Sequence, residues 1–128
     1  MLSAHRTPAA LHRFVTDNDA TTAVYICAAG GAAHLAGVVA SLTARPVIGI
    51  PIQTQTLGSA DSLYSMVQMP PGVPVATVAI GKPGATNAGV LAAQMIALGD
   101  QNIAAKLVDY KVKLEEKVEA AAAKMAKG

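Results

Sequence analysis

Ala28-Ala29-Gly30-Gly31-Ala32-Ala33-His34-Leu35-Ala36-Gly37 follows an apolar run at 23–27 and precedes a helix-like run at 35–42. Its small residues therefore stand where a buried strand turns into a helix. Backbone N–H groups at the start of a helix lack intrahelical partners and point outward. Residues without bulky side chains let a ligand approach them. His34 is the one group in this Gly/Ala stretch able to move a proton, since an imidazole ordinarily titrates near pH 6.5.

Working outward, Val24-Tyr25-Ile26-Cys27 reads as a continuous apolar strand, of the kind buried on both faces of a parallel sheet. The helix at 35–42 ends near Ala44-Arg45-Pro46, where proline prevents continuation, and Val47-Ile48-Gly49-Ile50-Pro51-Ile52 is the next strand. Strand, helix and strand imply a right-handed crossover, which sets both strand ends, and His34, along one rim of the sheet. The polar segment 53–62 comes directly after and is expected to lie over that rim as a lid carrying Gly58, Asp61 and Ser62. Asp61 is expected to cap a helix over 62–69, which Pro70-Pro71-Gly72 ends. Residues 73–80 read as a third buried strand, 81–89 as a second Gly-rich turn on the same rim, and 87–98 as a helix stopped by Gly99-Asp100.

Before the first strand, Thr7-Pro8 reads as an N-cap and first helical residue, with Leu11, Phe14 and Val15 as a short apolar stripe. Ser3, His5 and Arg6 then lie in the loop at a helix N-terminus. That setting suits a phosphate, because arginine supplies a planar fork of donors and the helix end a partial positive charge. An ordinary polar loop is the competing reading. At the other end, Ile103, Leu107, Tyr110, Leu114, Val118, Ala121 and Met125 recur at steps of three and four between Lys and Glu. A long amphipathic helix results, part of whose stripe is expected to meet another subunit; a simple coiled-coil tail is the alternative. The organisation expected is an α/β domain over 1–100 and a C-terminal helix over 101–128.

Composition narrows the function. Of the 128 residues 52% are hydrophobic and only 3% aromatic, with no Trp, which suits a layered α/β domain and offers no stacking surface for single-stranded nucleic acid. Net charge is +2 and no dense basic patch occurs, so nucleic acid is not an expected partner. Cys27 alone excludes an internal disulfide and reads as a small core residue rather than a reactive thiol. No apolar run reaches the length of a membrane span and no signal-peptide layout is present, so a cytoplasmic protein without a membrane partner is expected. The three histidines lack metal-ligand spacing, and neither a metal nor another cofactor is expected.

Five ordered motifs carry a family resemblance: Ser3-Ala4-His5-Arg6-Thr7-Pro8; Gly30-Gly31-Ala32-Ala33-His34-Leu35; Asp61-Ser62-Leu63 with Ser65 and Gln68-Met69-Pro70; Gly72-Val73-Pro74-Val75; and Asn87-Ala88-Gly89 with Ala92-Ala93-Gln94. In that order they resemble the PurE family of N5-carboxyaminoimidazole ribonucleotide mutases of purine biosynthesis. The resemblance implies a three-layer α/β/α, flavodoxin-like parallel sheet and assembly as a homo-octamer with sites at subunit contacts. The family starts with a strand, a Gly-Ser-x-Ser-Asp loop, a helix and a second strand ahead of its Ser-Ala-His-Arg motif. Here Met1 stands almost against Ser3, so the sheet is expected to lack the family's first strands and to expose an apolar edge. Ala36 replaces a common proline and Ala28 a usual glycine, and the turn at 81–84 is longer than usual.

By resemblance, the substrate is a small ribonucleotide whose carboxylate moves from N5 to ring carbon C4, with His34 as the general acid and base. Arg6 and Ser3 are expected on the 5′-phosphate and His5 in the pocket wall. Backbone N–H groups around Gly30, Gly31 and Ala32 would orient the carboxylate or CO2, with Ala29 and Leu35 also expected to bind the substrate and the lid over 53–62 to keep water out. A carboxylase adding free CO2, an inactive PurE-like subunit and a generic nucleotide- or flavin-binding domain are the alternatives. The His-Arg-Thr-Pro form of the first motif leans toward the mutase.

Overall fold

The computed structural model describes residues 1–126, with helices flanking three parallel strands in a flavodoxin-like α/β arrangement. The chain divides into two compact units, Met1–Ala92 and Ala93–Gly128.

In the first unit, α1 is Pro8–Asn18, β1 Tyr25–Ala29, α2 Leu35–Leu42, β2 Val47–Pro51, α3 Ala60–Val67 and β3 Ala76–Thr77. The sheet order is β1-β2-β3, all parallel, with Tyr25 opposite Val47 and Cys27 opposite Gly49. Tyr25, Cys27 and Val47 share one face and pack with Leu11 and Val15 of α1, Ala36 and Val39 of α2 and Met66 of α3 in a single core. Met66 approaches so closely over Gly49 that a Cβ there would meet its Sδ at 2.5 Å and its Cγ at 2.7 Å, with Val75 Cγ1 at 2.9 Å. The apolar strand residues and the helical stripe at 11 and 15 thus find the partners that their periodicities require.

β1 departs from the expectation of burial on both faces. Its buried and exposed residues alternate, and Ile26 is 47% exposed, because β1 is the edge strand of the sheet. β2, paired on both sides, has all five residues buried. An apolar groove of about 500 Å³ runs beside β1, lined among others by Leu11, Phe14, Ile26, Cys27 and Val39.

The third strand is also shorter than expected. Within 73–80 only Ala76–Thr77 forms strand, with one further bond beyond it from Val78 N to Gly49 O at 3.0 Å. Pro74 has no N–H to offer a ladder, which confines the pairing to residues beyond the proline. α3 starts earlier than expected, and Asp61 is not its cap: Ser59 holds the N-cap position, while Asp61 Oδ1 accepts from Thr54 Oγ1 at 3.1 Å. The carboxylate still lies in the first turn, where the helix dipole favours it. Thr7 holds the N-cap position of α1 without capping through its side chain, since its hydroxyl exchanges bonds with Ser3 N and Ser3 O instead.

α4 is Lys82–Ala97, five residues longer at its start than expected, because Pro83 falls in a first turn that needs no N–H from it. In the second unit, Gly99 N and Asp100 N close the end of α4 on Ile96 O and Ala97 O. Asp100 then caps α5, Gln101–Met125, by accepting from Asn102 N and Ile103 N. No residue of α5 is buried, and Val108, Val112 and Val118 are exposed. The last two residues of the expected helix, 127 and 128, lie outside the described residues.

This packing has two measurable consequences. Gly49→Ala is expected to destabilise the fold by about 1–3 kcal/mol through overpacking against Met66, measured by urea denaturation. Burial pushes the Cys27 thiol up from 9.0 to about 11. The unfolded thiol therefore loses its proton first as pH rises. Stability is expected to be undiminished by this group below about pH 9 and to fall between about pH 9 and 11. In Cys27→Ala that part of the alkaline loss should vanish from the denaturation curves.

Candidate active site

The loop from Ala29 to His34 leaves β1 on its last ladder bond, Ile52 N to Ala29 O at 2.8 Å. Gly31 takes a positive φ of 69°, open to glycine at no steric cost. The loop is then pulled toward α3 by two side chains. Ser62 Oγ accepts from Gly31 N, and Ser65 Oγ accepts from Ala33 N, each at 2.9 Å. Ser65 Oγ also lies 2.7 Å from Asp61 O and 3.2 Å from Gly31 O, its possible acceptors. His34 N donates to Ala32 O at 2.8 Å, and His34 takes the N-cap position of α2.

Opposite this loop, residues 3–7 form a tight turn: Thr7 N donates to Ser3 O at 3.0 Å and Arg6 N to Ser3 Oγ at 3.3 Å. The turn presents His5 toward His34. His5 Nε2 and His34 Nδ1 are 3.0 Å apart, with ring centroids 5.0 Å apart and ring planes at 88°. One nitrogen of each ring is thereby committed to the other, leaving His5 Nδ1 and His34 Nε2 for other partners. A bond between two imidazoles takes the N–H of one ring and the lone pair of the other, and rings so linked can relay a proton between their two free nitrogens.

A cavity of about 310 Å³ lies between the two stretches, lined by Ser3, His5, Arg6, Ala29, Gly30, Ala32 and Leu35 together with Met1, Leu2, Ala4 and Ala28. Seven of the residues expected at the site are thus brought together. His34 adjoins the cavity through His5 rather than lining it, and Gly31 does not line it. Of the loop amides expected to orient a carboxylate, Gly31 N is already taken by Ser62. Those of Gly30 and Ala32 have no protein partner among the described residues.

Gly58, Asp61 and Ser62, expected in a lid, do not line the cavity either. The segment is closed on itself: Thr54 N donates to Ser59 Oγ at 2.9 Å and Ser59 Oγ to Thr54 O at 3.1 Å. Leu57 and Ser59 take positive φ values of 54° and 70°. Ser62 is fully buried, so its hydroxyl holds the loop from beneath instead of covering it. Among the described residues no group of three or more His, Cys, Asp or Glu is placed to hold a metal ion.

Two features are not anticipated by the sequence pattern: the contact between His5 and His34, and the role of Ser65. The second had a signal, because serines three apart on a helix face the same way, so Ser62 and Ser65 were placed to act together.

A parallel sheet with flanking helices and a small-residue loop at the carboxyl end of β1 defines a flavodoxin-like α/β protein, and the paired histidines stand beside that loop. A family model described as AIR carboxylase matches residues 1–117. An N5-carboxyaminoimidazole ribonucleotide mutase of Vibrio vulnificus is 48% identical over 119 residues, covering 92% of this chain and 74% of that protein. The mutase of the same name from Bacillus subtilis is 52% identical over 108 residues, covering 84% of this chain and 67% of its own. The crystal structure of Treponema denticola PurE superposes with a TM-score of 0.83 at 28% identity, over 95% of this chain and 75% of that one. The chain belongs to the AIR carboxylase family.

The loop geometry yields its own check. Gly31→Ala meets no atom within 4 Å but keeps a positive φ, so it is expected to cost about 1–2 kcal/mol from backbone strain alone, read by urea denaturation.

Proposed function

We propose that the chain is an N5-carboxyaminoimidazole ribonucleotide mutase, an isomerase of purine biosynthesis, working through the His5–His34 pair. The observation that carries the site assignment is the 3.0 Å contact between the two imidazoles beside the cavity. The name is that of relatives about half identical over most of the chain.

In this reading the carbamate nitrogen of the substrate takes a proton and the N–CO2 bond breaks, releasing CO2 within the site. Ring carbon C4 then attacks the CO2 carbon, and the proton on C4 is removed, so that no proton or carbon is gained or lost overall. His5, which lines the cavity, both gives and takes the proton at Nδ1, the nitrogen that His34 leaves free. His34 holds the His5 ring in position through the bond between its Nδ1 and His5 Nε2. The Gly30 and Ala32 amides face the carboxylate or CO2 with donors that need no reorganisation. Arg6 and Ser3, at the N-terminus of α1, take the 5′-phosphate. The family description names a carboxylase, so the reaction of aminoimidazole ribonucleotide with free CO2 is the second reading. The proposal extends to a homo-octamer in the cytoplasm, and the exposed Val108, Val112 and Val118 of α5 support assembly.

The test supplies the substrate with its N5 carboxylate labelled with carbon-13. Label appearing at C4 without exchange into added bicarbonate supports the mutase, and turnover only of aminoimidazole ribonucleotide with bicarbonate overturns it. His5→Asn is expected to lower kcat by roughly 10²–10⁴-fold with substrate still bound. Arg6→Ala is expected to raise KM by roughly 10–100-fold, the loss of about 1.5–3 kcal/mol from hydrogen bonds to a charged group. Light scattering should return the mass of eight chains.

A further inference from the structure

We infer that Ser62 and Ser65 of α3 are positioning residues for the reaction. They clamp the loop between β1 and α2 so that His34 meets His5. The inference rests on the reading of the histidine pair as the proton-transfer unit.

Both hydroxyls accept from amides of the same short loop, Gly31 N and Ala33 N at 2.9 Å each. The second of these amides belongs to the residue immediately before His34. The donors are the backbone groups that a strand-to-helix junction leaves unpaired, and the acceptors come from another element. Ser62 is 0% exposed, so its bond to Gly31 is made away from competing water. Gly31 is the loop residue with a positive φ, and its carbonyl lies 3.2 Å from Ser65 Oγ, so both serines reach it. Ser65 is in turn held at 2.7 Å from Asp61 O, one helical turn earlier, which fixes its rotamer. Neither serine lines the cavity. Their influence on chemistry passes through the loop backbone to the His34 ring, and from His34 Nδ1 to His5 Nε2. A ring displaced by about 1 Å breaks a contact of this length, and misplacement on that scale costs about 10²-fold in rate.

The experiment compares the full chain with Ser62→Ala, Ser65→Ala and Ser65→Thr by mutase kinetics, thermal melting and nitrogen-15 imidazole spectra across pH, with His12, which does not line the cavity, as an internal reference. Expected are a fall in kcat of about tenfold to a hundredfold in both alanine variants, with KM little changed. The His5 and His34 titrations should move while that of His12 does not, and Ser65→Thr should retain kcat. Unaltered kcat in the alanine variants overturns the inference. So does a fall in kcat that tracks melting temperature while the His5 and His34 titrations stay as in the parent. If Ser62→Ala does not fold, the two Ser65 variants decide by the same criteria. If the parent chain shows no mutase turnover, the functional reading fails by itself and the imidazole spectra alone decide whether the serines position the pair.

Discussion

β2 carries a parallel partner on each side, and this double pairing is the constraint on which the rest of the first unit depends. A strand so placed has no edge to present to water, and all five of its residues are buried. Its burial determines what packs above it. Gly49 admits Met66 of α3 to within contact of the backbone, and the shared face of Tyr25, Cys27 and Val47 receives α1 and α2. Because parallel strands end on the same rim, the segments leaving β1 and β2 emerge side by side. The loop after β1 is thereby brought within reach of the serines of α3.

The two imidazoles come from stretches 29 residues apart, and their meeting depends on how α1 is seated. Leu11 and Val15 bury against the sheet, and Tyr25 Oη donates toward Val15 O and Asp19 Oδ1, both at 3.3 Å. Asp19 also accepts from Thr43 Oγ1, and its carbonyl from Arg45 Nε, which ties the far end of α1 to the segment entering β2. With that end fixed, the start of α1 and the turn at 3–7 have one direction in which to lie. A helix held by apolar contacts alone would have freedom to slide; the polar ties at Asp19 remove it.

Much of this was legible in the sequence, for reasons tied to particular residues. Continuous apolar runs at 23–27 and 47–52, each ending in a small-residue or polar turn, admit few readings other than parallel strands. The stripe on α5 and the stop at Gly99-Asp100 came from periodicity and capping chemistry in the same way. The exposed apolar edge followed from the family resemblance, but the strand pattern itself did not say which residues form it, and contacts distant in sequence were less legible still. Ile26 looks as apolar as Ile48, yet one lies 47% exposed and the other 0%, because only the strand order distinguishes an edge from a centre. The length of β3 turned on how far pairing survives beyond Pro74. The partner of His34 lay outside the local pattern altogether, since nothing in the spacing of His5 and His34 encodes a 3.0 Å contact.

The cavity and the apolar groove share Met1, Leu2, Ala28 and Leu35, so polarity changes abruptly along β1. Along its length the flanking side chains are mostly apolar, Leu11, Phe14, Ile26 and Val39 among them, beside the largely buried Tyr25 and Cys27. At its carboxyl end the ladder stops, two amides lose their partners, and the turn at 3–7 contributes an imidazole and a guanidinium. Polar groups without protein partners therefore gather at that end. A parallel ladder consumes the polar groups of the strand as far as it runs, and unpaired donors reappear only where it gives way to a helix. The small side chains of the loop then matter less for flexibility than for clearance, because Gly30 and Ala32 line the cavity with amides that have no protein partner among the described residues, while Gly31 and Ala33 turn theirs back toward α3. Alternate residues of one short loop thus divide between amides tied to α3 and amides without a protein partner among the described residues.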